Sequence, residues 1–157
     1  MTLRALAGEV NSYEDIFKVC RKLRLPYHDM EQLYRRAVFN YLTGVCDDHD
    51  KNFSFSMFED GSWRLSPAYD VTFTVNYKNL FIGDRHNMTI DGGSRIVNRD
   101  QLLRLADEND VRNVNDIIGC VTDAAKNFEA KAVANNINKE YIQLISDFIN
   151  RQSALLD

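Results

Sequence analysis

The feature that most constrains this chain is a change of hydrophobic period near residue 50. Leu33, Ala37, Val38, Tyr41, Leu42 and Val45 recur every three or four residues, an apolar stripe along one face of a long buried helix that begins near Asp29. From Phe53 the period falls to two. Phe53, Phe55 and Met57 alternate with Ser54, Ser56 and Phe58, then Glu59-Asp60-Gly61-Ser62 interrupts and Trp63-Arg64-Leu65 resumes, which predicts a β-hairpin. A buried helix must therefore hand the chain to a strand through the short loop that starts at Cys46.

Around this junction the sequence reads as helical. Ser12 followed by Asp15 resembles a capping box, and Ile16, Val19, Cys20 and Leu23 predict a helix from Ser12 to Leu23, stopped by Pro26. Phe73, Val75 and the Met88-Thr89-Ile90 stretch, closed by Asp91-Gly92-Gly93, suggest further short extended segments. Asn98 with Gln101, Asn113 and Asn138 each precede an apolar helical pattern, so three helices should close the chain. No linker or internal repeat is visible. The expected class is α+β and mostly helical, without the βαβ rhythm of a dinucleotide-binding fold.

Composition excludes several function classes. With 157 residues, 45% hydrophobic and 27% charged, the chain matches one compact unit and neither a disordered tract nor a fibre. A net charge of −4 gives no global pull toward nucleic acid or anionic lipid, so autonomous DNA binding is not expected. Cys20, Cys46 and Cys120 are odd in number and widely spaced, unlike a disulfide framework or a zinc site, and point to a reducing, cytoplasmic setting. Arg4, Glu9 and Asn11 interrupt the N-terminal apolar residues, and no run reaches the roughly 20 apolar residues of a membrane helix. The seven glycines form neither G-x-x-x-x-G-K nor G-x-G-x-x-G.

Chemistry concentrates in Asp47-Asp48-His49-Asp50-Lys51-Asn52, between the buried helix and the hairpin. Asp47 and Asn52 have the D-x-x-x-x-N spacing of the protein-kinase catalytic loop, in which the Asp receives the acceptor hydroxyl's hydrogen bond and the Asn holds Mg²⁺. Spacing alone is weak, since Asp110 and Asn115 repeat it. The setting separates the two pairs, because the hairpin should fold Asp70 back toward Asn52 and so supply a second hard oxygen ligand. Lys51 adds a cation for a transferring phosphoryl group. Asp48 and Asp50 read as solvated turn carboxylates, His28 and His86 as structural or surface residues, and Phe53, Phe55, Phe58 and Trp63 as hairpin core.

Asp47 to Ser54 (DDHDKNFS) followed by Trp63 to Asp70 (WRLSPAYD) closely resembles the paired signatures of HipA-like serine/threonine kinases. The resemblance extends more weakly to Arg35-Arg36-Ala37-Val38-Phe39-Asn40, to His86-Asn87-Met88-Thr89-Ile90-Asp91-Gly92 and to the helical tail. It implies a protein-kinase-like C-lobe in which short β-hairpins carry the catalytic loop. Asp47 would be the catalytic base, His49 would orient the loop, Lys51 would contact phosphate, and Asn52 and Asp70 would bind Mg²⁺, with ATP as phosphoryl donor. It further implies a toxin paired with a HipB-like helix-turn-helix antitoxin, and a protein substrate, the family's known ones being aminoacyl-tRNA synthetases.

The sequence departs from a whole kinase, because no Gly-rich loop and no V-A-I-K-type strand precede Asp47. Residues 1–157 are therefore expected to be a single C-terminal lobe, its N-lobe supplied in cis or by a separate chain, and inactive alone. The competing reading is a non-catalytic helical binding module, a relic kinase lobe that pairs with another polypeptide. A metal-dependent hydrolase built on Asp47, His49 and Asp50 is a third reading, opposed by the lack of a second ligand cluster.

Overall fold

The structure is a computed structural model that describes residues 9–76, 83–93 and 97–156. Residues 1–8, including Arg4, lie outside it.

Helix α1 (Tyr13–Lys22) starts where the Ser12 hydroxyl accepts from the Asp15 amide at 3.2 Å, carries Glu14 and Asp15 in its first turn, and ends on Arg21 and Lys22. Both charge placements suit the helix dipole. Its buried face is Tyr13, Ile16, Phe17, Val19 and Cys20. Helix α2 (Tyr27–Thr43) starts two residues before the expected Asp29, because Pro26 sits at the N-cap with its φ of −66° already set for entry. It is the central strut, packed against α1 and two of the closing helices. It ends at Gly44, whose φ of 71° is left-handed. A Cβ there would lie 2.7 Å from Val75 Cγ2 and 2.9 Å from Phe73 Cε2, so both conformation and space require glycine.

After a single 3-10 turn (Asp50–Asn52), strand β1 (Phe55–Met57) pairs antiparallel with β2 (Trp63–Leu65) in the register Phe55 to Leu65, Ser56 to Arg64 and Met57 to Trp63. The connection closes through the Phe58 amide on the Ser62 carbonyl and Gly61 at φ 80°. Buried Asp29 fastens this hairpin to α2, accepting from Arg64 Nε at 2.8 Å, Arg64 Nη2 at 2.9 Å and the Leu65 amide at 2.8 Å. Burial alone would raise the Asp29 pKa, but the Arg64 and Leu65 bonds outweigh it and hold the carboxyl below its ordinary value. Of the expected hairpin core, Phe53 is buried and Phe55 and Trp63 half-buried, whereas Phe58 is 53% exposed. The correction follows from position: Phe58 belongs to the turn, beyond the last paired residue.

The segment Met88–Ile90 makes bridges and no full strand. Thr89 pairs in parallel with Ser12, and Ile90 pairs with Gly93 across the Asp91-Gly92 turn, both of whose residues have positive φ. Four helices, not three, close the described chain: α3 (Arg99–Asp107), α4 (Val114–Lys126), α5 (Phe128–Ala134) and α6 (Lys139–Ser153). The Asn98/Gln101 capping box of α3 is complete, and Asn138 caps α6 by accepting from the Glu140 amide. Asn113 stands at the N-cap of α4 in left-handed geometry without a side-chain bond. The unexpected helix, α5, buries only Ala132 and follows α4 after one residue, so it has almost no periodic signal. Among the described residues no helix is long and apolar enough to cross a membrane.

Candidate phosphoryl-transfer site

The loop between α2 and β1 is held from two sides. Thr74 Oγ1 accepts from the Cys46 amide at 2.8 Å and the Asp47 amide at 3.1 Å, while the Thr74 amide donates to the Gly44 carbonyl. On the other side stands Asp48. Its side chain is wholly buried, which corrects the expectation of a solvated turn carboxylate. Asp48 Oδ2 accepts from the Tyr13 hydroxyl at 2.9 Å and lies 3.0 Å from His86 Nδ1, while Oδ1 accepts from the Asn87 and Met88 amides at 2.9 and 3.2 Å. Four donors around one carboxylate supply what water would otherwise give it.

The surroundings reinforce this hub. Asn40 donates to the Tyr13 oxygen, and the Tyr41 ring stacks on His86 at 3.8 Å between centroids while its hydroxyl reaches the Met88 and Gly93 carbonyls. Burial, then the charge of Asp48, pushes the Tyr13 phenol far above its ordinary pKa, so it remains a donor. His86 is thus structural, one of the two roles read for it. Tyr13, Asp48, Thr74 and Asn87 hold the loop by these bonds and were not among the site residues expected from the sequence. The polar His86-Asn87 pair just ahead of the apolar Met88 was the available signal.

The neighbouring Asp47 points outward, its side chain 59% exposed. Its Oδ1 accepts from Asn87 Nδ2 at 3.0 Å and lies 3.9 Å from His49 Nε2. His49 Nδ1 is buried without a hydrogen-bond partner among the described residues. Asn52 Nδ2 donates to the Asp47 carbonyl at 2.7 Å, closing the loop and leaving Oδ1 as its acceptor for a ligand. The Lys51 side chain is exposed, and its carbonyl accepts from the Tyr69 hydroxyl at 2.6 Å.

Asn52 and Asp70 line one cavity of about 520 Å³, which Arg35, Arg36 and Tyr69 also border. Asp70, on the segment that follows the hairpin, thus borders the same cavity as Asn52, and Arg36 ties that segment to α2 by donating to the Ser66 carbonyl. Asp47 and Lys51 lie on the loop outside this lining. No group of three or more His, Cys, Asp or Glu suited to a metal occurs among the described residues. The donor set, one amide oxygen and one carboxylate, fits Mg²⁺ completed by phosphate and water and does not fit a zinc centre.

The fold is that of a kinase-like, mostly helical C-terminal lobe. It matches a chain of the Shewanella oneidensis toxin–antitoxin complex of HipA, HipB and operator DNA with a TM-score of 0.64 and 24% identity, over 91% of this chain and 34% of that one. A profile of the HipA-like C-terminal domain matches residues 2–139, and the chain belongs to that family. Among curated proteins it is 34% identical over 70 residues to the kinase-like protein Y4mE of Sinorhizobium fredii. It is also 33% identical over 69 residues to the serine/threonine-protein kinase toxin HipA of Shewanella oneidensis. Each alignment covers 44% of this chain and 16% of the relative.

Proposed function

We propose that this chain is the C-terminal catalytic lobe of a HipA-like serine/threonine protein kinase, which transfers the γ-phosphoryl group of ATP to a protein serine as the toxin of a toxin–antitoxin pair. The observation that carries the reading is the cavity bordered by both Asn52 of the loop and Asp70 of the segment after the hairpin. Asp47 is the base that accepts the serine hydroxyl's proton, and its exposure leaves it open to a protein substrate. Asn52 and Asp70 hold Mg²⁺, which when bound neutralises the charge of the transferring phosphoryl group. Lys51 contacts the phosphates and His49 supports the loop beside Asp47.

The nucleotide cover belongs to an N-lobe, in cis or as a separate chain, so the lobe alone is inactive. The partner is a HipB-like helix-turn-helix antitoxin through which DNA is reached. The substrate class is a cytoplasmic protein, with aminoacyl-tRNA synthetases the first to try. The test is transfer from labelled ATP to a protein serine by the assembled kinase, this lobe together with its N-lobe. Asp47→Asn should lower the rate by about 10²-fold or more while leaving the unfolding midpoint unchanged. Undiminished transfer by Asp47→Asn overturns the assignment of the base, and transfer by residues 1–157 alone overturns the need for an N-lobe.

A further inference from the structure

Asn87 touches the loop at three consecutive residues. Its backbone amide donates to Asp48 Oδ1 at 2.9 Å and to the Cys46 carbonyl at 3.1 Å. Its side-chain amide donates to the Cys46 carbonyl at 3.2 Å and to Asp47 Oδ1 at 3.0 Å. The residues on either side are anchored in the core: His86 is stacked on Tyr41 and bonded to Asp48, and Met88 is buried with its amide on Asp48. His86-Asn87-Met88 is therefore a rigid template against which residues 46–48 are laid. The only part of it that reaches the Asp47 carboxylate is the Asn87 side-chain amide.

A carboxylate on an exposed loop rotates freely about its terminal torsion, which is broad and two-fold. A single donor fixed on one oxygen removes that freedom. We infer that Asn87 is a positioning residue for the transfer proposed above, on which this inference rests: by holding Oδ1 of Asp47 it dedicates Oδ2 to the acceptor hydroxyl. Asn87 touches neither nucleotide nor substrate in this scheme and acts through Asp47. Loss of such a constraint lowers the fraction of bound substrate in reactive geometry and leaves nucleotide affinity alone, so it appears in kcat.

The test uses the assembled kinase and compares Asn87→Ala, Asn87→Asp and Asp47→Asn for kcat, KM for ATP and unfolding midpoint. Asn87→Ala should lower kcat by about 10- to 100-fold with KM for ATP within about twofold of wild type. Asn87→Asp keeps the shape and both backbone bonds but faces Asp47 with an acceptor, so its kcat should fall at least as far. If Asp47→Asn abolishes transfer while both Asn87 variants retain wild-type kcat, the positioning role is overturned and the kinase reading stands. If Asp47→Asn is itself active, the assignment of the base fails. Equal changes in kcat and KM, or loss of the folded state in both Asn87 variants, also overturn the inference by making Asn87 a general structural residue.

Discussion

Gly44 joins the fold to the site, and its replacement gives a prediction whose size follows from two separable terms. Its φ of 71° is left-handed, a conformation that costs an alanine roughly 1–2 kcal/mol. A new Cβ would also meet Val75 Cγ2 at 2.7 Å, Phe73 Cε2 at 2.9 Å and Phe148 Cε1 at 3.0 Å. These belong to packed side chains, Phe73 standing edge-on to Phe148 in a satellite core with Cys46 and Val75, so the clash adds an overpacking cost of about 1–3 kcal/mol. Gly44→Ala should therefore lose about 2–5 kcal/mol in urea unfolding at unchanged m-value, a midpoint drop of roughly 5–15 °C on heating. Gly61→Ala is the control, because Gly61 has a φ of 80° but nothing within 4 Å of its Cβ position, so only the backbone cost of roughly 1–2 kcal/mol applies. Equal losses in the two variants would refute the packing term, and a loss below about 0.5 kcal/mol at Gly44 would refute both. Because the Gly44 carbonyl accepts from Thr74, which in turn holds the Cys46 and Asp47 amides, the same variant should also loosen the loop.

Two further measurements test the electrostatics. The Asp29 pKa is depressed in the folded state, so its contribution to stability is present above the ordinary carboxylate value of 3.8 and is lost as pH falls through the lowered folded value. Asp29→Asn should accordingly flatten the acid limb of a stability-against-pH curve below about pH 4, and an unchanged limb would refute the assignment. Burial, helped by neighbouring carboxylates, pushes the thiols of Cys20 and Cys46 up to about 12, whereas Cys120 is exposed. A thiol reagent at pH 8 should label Cys120 alone in the native chain and all three in denaturant, as read by intact mass. Native labelling of Cys20 or Cys46 would contradict the packing around them.

The elements legible in the sequence are those whose causes are local. The α2 stripe, the hairpin alternation and the Asn98/Gln101 box each depend on residues a few positions apart, and each element is present, with α2 starting two residues early at Tyr27 and Phe58 outside the paired strands. Helix α5 was invisible because a helix that buries one alanine and leaves Val133 59% exposed has no face to detect. The hairpin itself was legible, but the lock that fastens it to α2, Arg64 and Leu65 on Asp29, spans 35 and 36 residues and has no local signal.

The loop itself divides on the same principle. Asp47 and Asp48 are adjacent and chemically identical, and nothing in the hexapeptide says which one faces water. The decision is made by Tyr13, His86, Asn87 and Met88, which lie 35 to 40 residues away and offer Asp48 four donors while offering Asp47 one. Burying a carboxylate is expensive even when it is well bonded, and a core of apolar residues would serve stability equally well. A buried charge directly beside the exposed one is better accounted for by geometry: with the peptide between them shared, fixing Asp48 in the core fixes the backbone from which Asp47 projects. The backbone of Asp47 is then as well placed as that of a core residue, which a loop held only by its ends could not achieve.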